Sequence, residues 1–363
     1  MRKVLLASPY KKAGGIARWT EHIINYWERK GQDDVRIELL KEPAPLFKSF
    51  NNKNKIRRVL SGFYIYIQYI INEIKYLRKK ECDIVHICSS ASLGLFKDII
   101  LIQIARFYDK KIIIHFRFGR IPELFFKKNW EYRLLVYVIG KVDVAIVIDK
   151  TSYETLNENG FNNTVSIPNP ISQNNLDFIK SSFVQRNDRL VLFVGQCYKE
   201  KGIFELIEAC KNINDITLKF VGSVNDQTRR IMMEKAEGKT DLEIMGELPY
   251  KEVLMQMLNC GVFVLPTYTE GFPNVILESM ACGCPIVTTD VGAIPEMLDI
   301  ENGFNNGICV KPRDISGLRD AIQTMLDERE YALRCGENAR KRVNELYSIH
   351  KVWSRLVEIW ENL

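Results

Sequence analysis

VFVLPTYTEGFPNVILESMACGCPIVTTDVGAIPE, running from Val262 to Glu296, decides the fold. Val262–Leu265 is an apolar run of strand length, closed by Pro266. After the loop Thr267–Phe272, Pro273 suits the first position of a helix, where its missing N–H would have had no intrahelical partner. Gly283 stands where a helix C-terminus is wanted, Pro285 prevents continuation, and Ile286–Thr289 reads as the next strand. Strand, helix and strand in this order build a parallel α/β sheet.

Two acids gain meaning from that geometry. Glu270 falls in the loop at the C-terminal edge of the strand, where open α/β sheets bind ligands. Glu278 lies five residues beyond Pro273, roughly 7.5 Å along the helix axis. Between them the N–H groups of Phe272, Asn274 and Val275, with Pro273 among them, open the helix; with the helix dipole, free amides there make an anion site. An anion site flanked by two hydrogen-bond-accepting carboxylates suits a phosphate with a sugar on either side, as in a nucleotide sugar.

Glu270 and Glu278, with seven residues between them, sit inside EGFPNVILESMACGCPIV. With Gly271-Phe272, Ala281-Cys282-Gly283 and Asp290-Val291-Gly292 around them, they resemble the paired-glutamate signature of the family 4 retaining glycosyltransferases (glycosyl transferases group 1). The resemblance implies the α/β GT-B fold: two Rossmann-like domains with doubly wound parallel sheets facing a central cleft, and a C-terminal helix crossing back to the first domain. It runs through nearly all of the chain in order, with its specific motifs in the second half.

Strand patterns recur along the chain. In the first half they fall at Lys3–Ser8, Val35–Leu39, Asp83–Cys88, Lys111–Phe116, Val144–Ile148 and Val165–Ile167. In the second they fall at Leu190–Val194, Ile216–Val221, Leu242–Met245, Val262–Leu265, Ile286–Thr289 and Ile308–Val310. Pro168–Asp188 is polar and poor in period, which reads as the linker. The expected division is 1–168, an acceptor-binding domain; 169–345, a nucleotide-sugar-binding domain; and 346–363, a terminal helix. Ile349, Val352, Trp353, Leu356, Val357 and Ile359 give that helix one apolar face.

Composition sets bounds. At 363 residues with 46% hydrophobic and 26% charged content, the chain is an ordinary globular one of two domains. The nine cysteines are odd in number and include no C-x-x-C, which suits reduced thiols. No secretory signal is legible and no apolar run reaches 18 residues, so a cytoplasmic site of action is expected. The net charge of +6 divides unevenly: 29 Lys and Arg against 17 Asp and Glu up to Pro170, and 22 against 28 from Ile171 onward. A basic first half calls for an anionic partner.

Transfer from a nucleoside diphosphate sugar loads negative charge on the departing diphosphate, which needs a metal or fixed cations and N–H groups. No Asp-x-Asp occurs, so no metal is expected. The resemblance assigns the cation to VGQCYKEKGIFELIEA, Val194–Ala209, where Gly195, Lys201 and Gly202 match the family pattern. Gln196 replaces the arginine common at its position, leaving one cation where the family has two. Gly14 and Gly15 open the helix IARWTEHIINYWERK and let backbone approach a ligand. His115, closing the strand KIIIHF, is by resemblance a contact of the donor sugar, with a histidine satisfied in the core as the competing reading. Gly246-Glu247-Leu248 resembles the loop whose backbone meets the nucleotide base. No cofactor is expected, UDP is preferred over GDP, and retention is implied by the resemblance alone.

Lys53–Lys80 brackets a mostly apolar, tyrosine-bearing stretch with basic clusters, and Pro122–Lys141 adds Phe125, Phe126, Lys127, Lys128, Trp130 and Arg133. Both suit a peripheral contact with the anionic inner face of a membrane, and both equally suit domain helices with solvated basic rims. No nucleic-acid motif accompanies the charge. The expected function is therefore transfer of a hexose or N-acetylhexosamine to a polyprenyl-diphosphate-linked saccharide for surface polysaccharide. The rival readings are a nucleotide-sugar epimerase of the same fold and a silent nucleotide-sugar-binding subunit.

Overall fold

The computed structural model describes residues 1–11, 14–31, 35–40, 55–79, 82–236, 241–303 and 306–363, with only the backbone of 55–63. Lys53 and Lys80 fall outside the described residues, as do the side chains of Lys55, Arg57 and Arg58. The chain divides into two compact units, Met1–Pro168 with Val352–Leu363, and Asn169–Lys351.

Six parallel strands are described in the first unit: β1 (Arg2–Ala7), β2 (Val35–Leu39), β3 (Ile84–Ser89), β4 (Lys111–Phe116), β5 (Val144–Val147) and β6 (Thr164–Ser166). Their order is β2-β1-β3-β4-β5-β6. IVHICS and KIIIHF are almost wholly buried, because helices cover both faces and leave no solvent side to alternate with. Helix Lys55–Lys79 turns Tyr69, Glu73 and Leu77 inward at four-residue steps, so the basic stretch read from the sequence is a domain helix with a core face. The end of the chain returns to this unit. Val352, Trp353, Leu356 and Trp360 are at most 1% exposed, and Trp360, rather than Ile359, completes the apolar face.

The second unit holds β7 (Asn187–Val194), β8 (Thr217–Val221), β9 (Asp241–Gly246), β10 (Cys260–Leu265), β11 (Ile286–Thr289) and β12 (Ile308–Val310), again parallel. Their order is β12-β11-β10-β7-β8-β9, the six-stranded dinucleotide-fold order. From the neighbours β7 and β10 the chain winds outward in opposite directions, which opens a crevice at their C-terminal ends. The polar stretch Pro168–Asp188 is not all linker: Ser172 caps a helix, Gln173–Ser181, by accepting from the Asn175 N–H, and β7 already begins at Asn187.

Candidate active site

The loop leaving β10, Pro266–Pro273, carries Glu270 and is clamped along its length. Tyr268 N–H donates to the Glu200 carbonyl at 2.8 Å and Ala293 N–H to the Gly271 carbonyl at 2.8 Å. Thr289 Oγ1 donates to the Thr267 carbonyl at 2.5 Å, and Asn169 Nδ2 to the Phe272 carbonyl at 3.3 Å. The Phe272 ring is buried edge-on to Tyr347, centroids 5.7 Å apart. Gly292 packs against this loop at φ +56°, and a Cβ there would strike the carbonyl oxygens of Glu270 and Gly271. A carboxylate on so fixed a backbone is already aimed.

Lys201 arrives from the loop after β7, on the other side of the crevice. Lys199–Lys201 form one 3-10 turn, Gly202 takes the left-handed conformation at φ +71°, and helix Ile203–Cys210 follows. A Cβ on Gly202 would meet the Pro266 carbonyl, so the two loops lie backbone against backbone. Lys201 Nζ thereby forms an ion pair with Glu270 Oε1, the two side chains 18% and 16% exposed. Gln196 lies exposed in the same loop.

Helix Asn274–Ala281 begins one residue later than the sequence suggests. Pro273 is its N-cap rather than its first residue: its ψ of 114° is extended, while its carbonyl accepts from Ile276 N–H at 3.1 Å and Leu277 N–H at 3.3 Å. The amides of Asn274 and Val275 open the helix with no carbonyl a turn earlier to receive them. At the far end Gly283 N–H donates to Met280 O at 2.9 Å and Cys284 N–H to Ser279 O at 3.0 Å, the paired closure that a glycine after the cap permits.

Glu278 is 7% exposed on this helix, and its Oε1 accepts from the Tyr250 hydroxyl at 2.9 Å. Tyr250 in turn accepts from Asn175 Nδ2 at 2.8 Å. Leu248 sits half-buried in the loop between β9 and helix Tyr250–Asn259, two residues before that tyrosine. Asn169 Nδ2 also donates to Asn274 Oδ1 at 3.0 Å. The second unit thus gathers Lys201, Glu270, Gly271–Val275 and Glu278 around one helix start. Tyr250, Asn175 and Asn169 join them with no motif to announce them.

In the first unit Gly14 caps helix Gly15–Lys30 at the C-terminal end of β1, and the space where either glycine would carry a Cβ is open. His115 lies in the interior of the first unit. Its ring is fully buried, Nδ1 lies 3.3 Å from His86 Nε2, and Nε2 accepts from Arg117 at 2.9 Å. Trp19 packs edge-on at 5.0 Å, and the Arg117 guanidinium lies over the Trp19 ring at 4.7 Å. Burial, then the charge of Arg117, pushes the His115 pKa well below the usual imidazole value and that of His86 to about 3. Burial also brings Arg117 down to about 10. His115 is therefore an interior histidine whose Nε2 faces the Arg117 guanidinium.

His86, Cys88 and His115 bring their ligand atoms within 4.8 Å of one another. Trp360 Nε1 donates to His86 Nδ1 at 3.1 Å, and Arg117 donates to His115 Nε2. Both outer nitrogens face groups that only donate. A cation held by the inner nitrogens would put N–H groups on those outer positions, against an indole N–H and a guanidinium. These residues do not fit a metal.

Residues 175–342 match the family model described as Glycosyl transferases group 1. The putative teichuronic acid biosynthesis glycosyltransferase TuaC of Bacillus subtilis is 33% identical over 141 residues, 38% of this chain and 32% of its own. The chain spans about half the length of the curated relatives it matches, 46% for one and 47% for another. Among solved structures, the sucrose-phosphate synthase of Thermosynechococcus elongatus aligns with a TM-score of 0.77 at 18% identity, over 100% of this chain and 99% of that one. HepE of Anabaena, solved in complex with UDP, aligns at 0.70 and 16% identity over 100% of both chains. The matched segment contains Lys201, Glu270, the helix opening at Asn274, Tyr250 and Glu278; over those residues the chain is similar to the glycosyl transferases group 1, and as a whole it has the GT-B fold.

Proposed function

We propose that this chain is a retaining, metal-independent glycosyltransferase that moves a hexose or N-acetylhexosamine from a nucleoside diphosphate sugar, UDP preferred over GDP, to a polyprenyl-diphosphate-linked saccharide in surface polysaccharide synthesis. The observation that carries it is the Lys201–Glu270 ion pair at the crevice between β7 and β10, beside the opening of helix Asn274–Ala281. A relative bears a teichuronic acid biosynthesis name and a structural neighbour holds UDP, both in keeping with this reading.

Lys201 exchanges Glu270 for the diphosphate when the donor binds, and with the amides of Asn274 and Val275 it stabilises the charge that develops on the leaving phosphate. Glu270, released, accepts from hydroxyls of the transferred sugar. Glu278, held by Tyr250, accepts from the ribose. The basic first half faces the anionic inner leaflet where the lipid-linked acceptor resides.

Release of nucleoside diphosphate from UDP-sugars, assayed with and without a chelator, tests the proposal. Turnover that persists in excess EDTA supports it. Activity abolished by EDTA and restored by manganese would overturn metal-free transfer. Gln196, standing where the family has an arginine, favours one alternative, a nucleotide-sugar-binding subunit without catalysis, which would shift its melting point with UDP yet release none.

A further inference from the structure

In the first unit helix Gly94–Phe107 packs between helix Lys55–Lys79 and helix Trp130–Ile139. It reads GLFKDIILIQIARF, apolar around almost its whole circumference. Such a helix is ordinarily buried on all sides. Here Leu95, Leu101, Ile102 and Ala105 face the core, while the cap Leu93 and Phe96, Ile100 and Phe107 are 65%, 50%, 43% and 81% exposed. Steps of three, four and seven residues set these four on a single outer stripe.

The neighbouring helices continue that face. Phe96 stacks on Trp130 with centroids 6.2 Å apart, Gln103 Nε2 donates to the Tyr137 hydroxyl at 3.0 Å, and both Trp130 and Tyr137 are about half exposed, at 50% and 44%. Toward helix Lys55–Lys79 a groove of about 370 Å3 runs beside the stripe, lined by Ile74, Ile99 and Ile104 with Arg78 among them.

Charge is sorted across the same three helices. Their acids among the described residues, Glu73, Asp98 and Glu131, are all buried. Lys75, Arg78, Lys79, Arg106 and Arg133 are exposed, and Lys141 lies over the Tyr137 ring at 5.7 Å. An apolar stripe edged by aromatics with polar tips and by cations on long stems is the chemistry of the bilayer interface. A second copy of the chain would set this cationic face against itself.

We propose that helix Gly94–Phe107 lies in the plane of an anionic bilayer, with Phe96, Ile100 and Phe107 in the acyl boundary, Trp130 and Tyr137 at headgroup depth, and the flanking cations on lipid phosphates. This rests on the membrane-borne acceptor proposed above and adds insertion to charge attraction. No helix among the described residues is long and apolar enough to cross a membrane, so the attachment is interfacial.

The test compares wild type with the triple variant Phe96→Ser, Ile100→Ser, Phe107→Ser on phosphatidylglycerol–phosphatidylcholine vesicles. Wild type is expected to sediment with the vesicles and to stay partly bound near 1 M salt, where the Debye length of about 3 Å screens charge attraction. The variant, its UDP-induced melting shift unchanged, is expected to bind at least about tenfold more weakly. Brominated lipid is expected to quench wild type more than Trp130→Phe. Equal binding by the triple variant would overturn insertion while leaving charge attraction in place. Absence of wild-type binding, together with a dimer that the triple variant abolishes, would assign the stripe to a second copy and remove the membrane reading as well.

Discussion

Tyr250 donates its hydroxyl to Glu278 at 2.9 Å while receiving the Asn175 amide at 2.8 Å, so Glu278 is aimed by a residue 28 positions away. Phenylalanine at 250 would leave the nearly buried carboxylate without that donor. Tyr250→Phe is expected to weaken UDP binding by about ten- to a hundredfold, as loss of one hydrogen bond to a charged group implies. Titration calorimetry reads this directly. In a Glu278→Gln background the same change should cost much less, and an undiminished effect there would mean that Tyr250 acts elsewhere.

Lys201 and Glu270 form a partly exposed pair, and such pairs contribute roughly 0–1 kcal/mol to stability. Their value lies in the chemistry instead. Lys201→Met is expected to lower turnover by about 10²- to 10³-fold with little change in melting temperature. Glu270→Gln should lower turnover while UDP affinity holds within about threefold, because this acid is assigned to the sugar and not to the nucleotide. A Glu270→Gln enzyme of normal turnover would contradict that assignment.

Gly292 has neither the φ nor the space for a side chain, since its Cβ would enter the Glu270 and Gly271 carbonyls. Gly292→Ala is expected to cost about 1–3 kcal/mol of stability and to displace the loop bearing Glu270. Denaturant unfolding and steady-state kinetics should therefore both respond. A variant that unfolds earlier yet turns over normally would show that the loop tolerates the shift.

Glu73 is fully buried, neither of its carboxylate oxygens has a hydrogen-bond partner among the described residues, and burial raises its pKa to about 9 despite the opposing charge of Lys97. The folded state therefore keeps the proton that the unfolded chain releases near 4.5. The stability contributed by the protonated form is fully present below that lower value and is lost progressively as pH rises toward 9. At pH 7 the loss is about 3 kcal/mol. Glu73→Gln is expected to be more stable than wild type at pH 8 and to flatten the fall between pH 5 and 9. Equal pH slopes for the two proteins would place the carboxylate in a hydrated setting.

Strands were plain in the sequence wherever β-branched runs were bounded by turn residues, as in KIIIHF and VFVL, because burial on both faces leaves an unbroken apolar signature. The acids and the lysine of the candidate site were legible as residues but not as a pair, since Lys201 and Glu270 are 69 positions apart. Nothing local marks Tyr250 or Asn175, whose roles exist only once β9 and helix Asn274–Ala281 are packed. His115 left two readings open for a related reason: the end of a strand reads the same whether its side chain meets the loops or the interior. The outer face of helix Gly94–Phe107 was hidden too, because a helix apolar all round reads as core.

Trp360 and His86 are hydrogen-bonded although they stand 274 positions apart, and both belong to the first unit. On the ribosome, the opening strands must therefore wait, with the His86 side of their core uncovered, while the whole second unit is made. Only when residues beyond Val352 emerge can the earliest-synthesised half be sealed. The order of synthesis thus makes the first-born unit the last to finish, and leaves it the more exposed to chaperones and proteases during translation.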